Sequence, residues 1–133
     1  MSVNWVSVFA AFLVAHMVGD YLFQTDWQAR HKRGGLSGDR VAFKALASHV
    51  TTYTLAFVPA LIWVADELDA GWAILAAALI YIPHLIIDDG RIVRFYLANV
   101  KRADGFDLGL AASVDQSFHV LSLFLVALLL GTA

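Results

Sequence analysis

The sequence has no cysteine, which excludes a disulfide framework, a thiolate metal site and a cysteine nucleophile and leaves the redox compartment open. Charge is scarce as well. Only 15% of the 133 residues are charged while 60% are hydrophobic, against about 25% charged and roughly 45–50% apolar in a soluble domain. A chain of this composition has lipid as its main solvent. The net charge of −2 and the lack of any long basic run argue against a nucleic-acid binder. Residues 1–5 lack the positive start of a signal peptide, and no small-residue cleavage site precedes Gln24, so the first apolar stretch reads as a retained span.

What the chain does have is apolar runs, at about residues 3–23, 41–65, 71–96 and 108–130, each near the roughly 20 residues that cross a bilayer. They predict an all-α fold: one domain over residues 1–133, an integral membrane bundle of four transmembrane helices. The connections are a polar segment at 24–40 punctuated by Gly34, Gly35 and Gly38, a short acidic turn with Asp66, Glu67 and Asp69, and a polar stretch at 99–107. Pro59 lies in the second run. Pro83 interrupts the third, where its missing N–H predicts a kink close to His84.

All nine basic residues flank the first and third connections: Arg30, Lys32, Arg33, Arg40 and Lys44 around one, Arg91, Arg94, Lys101 and Arg102 around the other. The positive-inside rule therefore predicts both basic connections in the cytoplasm and both termini outside. These charges read first as topology and snorkelling, with attraction of anionic headgroups as a lesser role.

The residues that do not belong in lipid are His16 and Asp20, His49, His84 and Asp88, and Asp115 and His119. Each costs several kcal/mol if left unpaired in hydrocarbon. Three of the runs carry His and Asp four positions apart, which puts both side chains on one helix face, one turn from each other. With alternating helix directions all seven fall at similar depth, near the basic connections. A lone membrane histidine is more often hydrogen-bonding glue between helices, and a lone aspartate a cap or an arginine partner. Seven together form a mixed nitrogen and oxygen set suited to Zn²⁺, Mn²⁺ or Fe, with more donors than one tetrahedral ion needs. One ion plus a base, or two ions, follow from the surplus. A metal-free polar network and a haem site are the competing readings. Gln24, Gln116 and Asp89 are candidate supporting partners, the loop at 34–38 is a candidate lid, and His31, among Arg30, Lys32 and Arg33, reads as a loop residue.

Taken in order, H-x-x-x-D-x-x-x-Q at His16, Asp20 and Gln24, a single His49, H-x-x-x-D at His84 and Asp88, and D-Q-x-x-H at Asp115, Gln116 and His119 resemble the small bacterial and phage membrane proteins called domain of unknown function 3307. The resemblance covers almost the whole chain and implies a multi-pass protein of the bacterial inner membrane. More loosely, the pattern is similar to membrane-bound metal-dependent hydrolases that carry H-x-x-x-D elements in helices.

Three functions compete. The first is a metal-dependent hydrolase in which Asp20 or Asp88 takes the proton of water and the substrate is amphiphilic or lipid-like, reached from the cytoplasmic leaflet. The second is an ion or proton transporter using the His/Asp network, for which four short helices would form a homo-oligomer. The third is a b-type haem protein, against which the aspartate beside each histidine counts. The expected partners are membrane lipid and a lipid-like substrate, not nucleic acid.

Overall fold

The computed structural model describes residues 3–103 and 107–133, and among them every regular element is helical. Residues 104–106, inside the polar stretch expected at 99–107, lie outside the described residues. Helix α1 is Trp5–Met17, started by Asn4, whose side chain accepts from the Val6 and Ser7 amides. It continues as a π-helical stretch, Val18–Phe23, so that Trp5–Phe23 forms one apolar rod. The segment expected as a flexible connection is instead built. It holds helix α2, Asp26–His31, begun by a reciprocal Thr25/Gln28 capping box, and a 3₁₀ turn at Gly35–Ser37.

The second apolar run is two helices, α3 at Arg40–Leu55 and α4 at Val58–Glu67, bent by 50°. Pro59 accounts for the break, because it has no N–H to offer the carbonyl of Leu55 and suits the first turn of a new helix. Asp69 caps the next helix, α5, at Ala70–Asp88. Helix α5 continues through Pro83 and stops at Gly90, whose φ of 82° is left-handed; the expected run to residue 96 is therefore broken, and Arg91–Asn99 forms a separate helix α6. Helix α7, Leu108–Leu130, matches the fourth expected run and is capped by Asp107.

Three of these rods are long and apolar enough to cross a membrane, or four if the bent α3–α4 pair is one span. Helix α7 lies against α1, α5 and α6, and α3 lies against α5, α2 and the π-helical stretch. One apolar cluster, including Phe12, Phe57, Val64, Ile80, Leu123 and Leu130, fills the bundle away from the basic connections. A smaller one, Ile87, Val93 and Val114 with Tyr96 and Phe118, holds α6 to α5 and α7. Large apolar side chains face outward, with Leu22 75% exposed and Ile74 70%, while His16, His49, His84, His119, Asp88 and Asp89 are buried. Apolar side chains on the outside, together with a few buried histidines and aspartates, suit a molecule surrounded by lipid.

Candidate metal centre

The expected polar residues face one region, from the ends of the first rod and α5 and from the interiors of α3 and α7. The π-helical stretch carries Asp20 next to Gly19, where an added Cβ would stand 2.6 Å from Tyr53 Cδ2 and 3.1 Å from Tyr53 Cα. Glycine there lets the first rod approach α3 closely enough for Asp20 to reach His49. Helix α5 delivers His84 and Asp88 from its last turn and a half, and α7 delivers Asp115 and His119 from its first half.

Four donors converge: Asp20, His49, His84 and Asp88, with one ligand atom from each lying within 4.8 Å of the others. His49 Nε2 is 3.0 Å from His84 Nε2, 3.2 Å from Asp20 Oδ1 and 2.9 Å from Asp88 Oδ2. His84 Nε2 is 3.5 Å from Asp20 Oδ1 and 3.0 Å from Asp88 Oδ2. Ligands on a tetrahedral ion with bonds of about 2.0–2.1 Å are about 3.3 Å apart, so these spacings are those of coordination edges. A second group, Asp88, Asp115 and His119, shares Asp88 with the first. His119 Nδ1 donates to the Asp115 carbonyl at 2.8 Å, which leaves the Nε2 lone pair 3.5 Å from Asp88 Oδ1. Neither Asp20 Oδ1 nor His119 Nε2 has a hydrogen-bond partner among the described residues, although both are buried. Two lone-pair atoms set against carboxylate and imidazole acceptors in a dry interior call for a cation. The residues therefore fit a divalent ion.

His16 stands beside the two groups. Its Nε2 donates to Gln116 Oε1 at 2.9 Å and its Nδ1 accepts from the Tyr53 hydroxyl at 3.0 Å, so both nitrogens are occupied. Gln116 acts as the expected support, reaching Asp20 Oδ2 at 3.3 Å and Asp115 Oδ2 at 3.4 Å through its Nε2. Gln24 accepts from Lys32 at 2.7 Å. Asp89 turns the other way: Oδ1 accepts from the Leu36 amide at 2.8 Å, Oδ2 pairs with Arg91, and its carbonyl accepts from Gly34 N. It pins the 34–38 segment that the glycines had marked as a lid, and Gly35 is buried against Leu46. His31 is the last residue of α2 and not a loop residue; it is exposed and stacked on Trp27, away from the centre.

Sequence reasoning missed two residues. Lys32, read as a topological charge, donates to Asp88 Oδ2 at 2.7 Å with its side chain only 13% exposed. Tyr53, read as part of an apolar run, stacks on His84 with ring centroids 3.6 Å apart. Beside the centre is a cavity of about 310 Å³, bordered by Asp20, Tyr21, Lys32, Arg33, Asp88 and Asp115 among others.

These features define a class, a small helical bundle with apolar rods able to span a membrane and a buried His/Asp cluster able to hold metal. The family described as Protein of unknown function (DUF3307) matches residues 8–133, and the chain belongs to it. No curated protein and no solved structure matches the chain, so the looser likeness to membrane-bound hydrolases rests on its motifs alone.

Proposed function

We propose that this protein is a membrane-embedded, metal-dependent hydrolase whose two neighbouring ligand groups, sharing Asp88, would hold divalent metal. The observation that carries the reading is the sharing of Asp88 between two ligand groups, its Oδ2 facing His49 and His84 and its Oδ1 facing His119. Asp20, His49, His84 and Asp88 would hold the first ion. Asp88, Asp115 and His119 would hold the second, three protein ligands being the number typical of catalytic sites. Zn²⁺, Mn²⁺ and Fe all suit this donor set.

When bound, such ions supply Lewis acidity, polarising the bond to be cut and acidifying water. The chain's own residues do the rest. Asp20 gives Oδ1 to the ligand set and keeps Oδ2 toward Gln116, at the cavity it borders, where it takes a proton from the attacking water. Tyr53 and Gln116 hold His16 against Asp20, and the Tyr53 ring fixes the plane of His84. The cavity is bordered by Tyr21, which is followed by exposed Leu22 and Phe23, so a substrate with a polar head and an apolar tail can be met partly in lipid. With the basic connections inside, the cavity is reached from the cytoplasmic leaflet.

Protein purified in detergent without chelator is expected to carry close to two equivalents of metal by elemental analysis. His84→Ala should lower that to one or none, and Asp20→Asn should abolish turnover on a panel of lipid phosphates, esters and amides. Well under one equivalent of every metal in the native protein would reduce the cluster to a hydrogen-bonded network. Full loading without turnover, together with proteoliposomes that pass protons or cations in an Asp20-dependent way, would replace the enzyme with a transporter.

A further inference from the structure

We infer that the cavity beside the centre binds a phosphate group, with Lys32 as its main protein contact; the inference rests on the metal reading above. Lys32 sits between the ligand cluster and the cavity. Its ammonium has three donors, and two are spent on Gln24 Oε1 and Asp88 Oδ2, both at 2.7 Å. The third is left for the cavity that Lys32 borders. Arg33, exposed, borders the same cavity, and Ala29 and Ala112 keep it free of bulk.

Charge selects the ligand. With Asp20, Asp88 and Asp115 ionised and the imidazoles neutral, two bound divalent ions plus Lys32 would leave an excess of two positive charges. A low-dielectric site holds such an excess only against an anion. A phosphate monoester, with a charge of about −1.5 to −2 at neutral pH, balances it, whereas a single carboxylate does not. Its tetrahedral oxygens also allow simultaneous contact with cations and with the ammonium. Without the ions, the three carboxylates repel the same group. Phosphate and metal binding are therefore coupled.

The test uses the full chain in a maltoside detergent, which contains no phosphate. Metal content is measured first, and then inorganic phosphate is titrated calorimetrically into the metal-loaded and the chelator-stripped protein; a second arm titrates a short-chain phosphatidic acid. Saturable binding that is lost on stripping is expected. Lys32→Met should weaken it about tenfold or more, the scale of one charge-assisted hydrogen bond, Arg33→Met should weaken it less, and Lys32→Arg should restore most of it. Tight binding of the short-chain lipid with weak binding of the free ion assigns the group to a headgroup, and equal affinities assign it to a soluble phosphate. Binding that survives stripping, or that neither Lys32→Met nor Arg33→Met weakens, overturns the inference. Metal present without phosphate binding overturns this inference alone. Absence of metal overturns it together with the reading it rests on. Should Lys32→Met fail to fold, the stripped protein and Arg33→Met still decide.

Discussion

Asp88 spreads its carboxylate over both halves of the centre: Oδ2 meets His49, His84 and Lys32 within 3.0 Å, and Oδ1 faces His119 at 3.5 Å. Its partners come from the residue that ends α2 and from α3, α5 and α7, so one side chain ties together four parts of the chain. His16 differs, since Tyr53 and Gln116 already occupy both of its nitrogens. His16→Ala is therefore expected to leave the metal content of the purified protein unchanged, whereas His49→Ala removes at least one equivalent; a matching loss in His16→Ala would make it a ligand. The His/Asp pairs were legible in the sequence because a four-residue spacing needs only a helix to bring two side chains onto one face. Lys32 was not. Its contact with Asp88 bridges 56 positions and depends on α2 folding back beneath the bundle, inside a segment whose glycines read as a flexible loop. Tyr53 was equally hidden, because nothing in an apolar run marks which hydroxyl will meet a distant histidine.

At the scale of elements, apolar runs located the long rods but not their interruptions. Periodicity continues across Pro59 and across Gly90, so a reading by hydrophobic runs joins α3 to α4 and α5 to α6. Local backbone chemistry decides otherwise: a missing donor at Pro59 and a left-handed residue at Gly90. The π-helical turn at Val18–Phe23 leaves no comparable mark in the sequence, yet it bears Asp20, in keeping with the frequent occurrence of such turns at functional sites. Gly90 is the most direct element to probe. A Cβ there would meet only Arg33 side-chain atoms at 3.6 Å or more, so space is not the difficulty. The φ of 82° is, and an L-residue in that region costs about 1–2 kcal/mol. Gly90→Ala is expected to lower the melting temperature by that amount of stability while α5 still presents His84 and Asp88, so metal content should persist. An unchanged melting temperature would show that the α5–α6 junction relaxes without strain.

The whole molecule places its basic residues at one end, an asymmetry that predicts its orientation. The basic residues lie around α2, the start of α3 and α6, whereas the charges at the end of α4 and in the turn to α5 are the acidic Asp66, Glu67 and Asp69. Retention of basic flanks in the cytoplasm predicts the cavity bordered by Lys32 and Arg33 on the cytoplasmic face and the α4–α5 connection outside. Two exposed positions report on this directly, Ser37 in the 3₁₀ turn and Ala70 at the start of α5. Because the native chain has no cysteine, single substitutions give an unambiguous signal with a membrane-impermeant thiol reagent. In intact cells Ala70→Cys should be labelled and Ser37→Cys protected, and permeabilisation should expose both. The bent α3–α4 pair makes the experiment informative about span count as well. If the pair re-enters the face it left and does not cross, Ala70→Cys and Ser37→Cys will share a side and label alike. If labelling is reversed, the pair crosses but the cavity faces outward, and a substrate drawn from the cytoplasmic leaflet is ruled out.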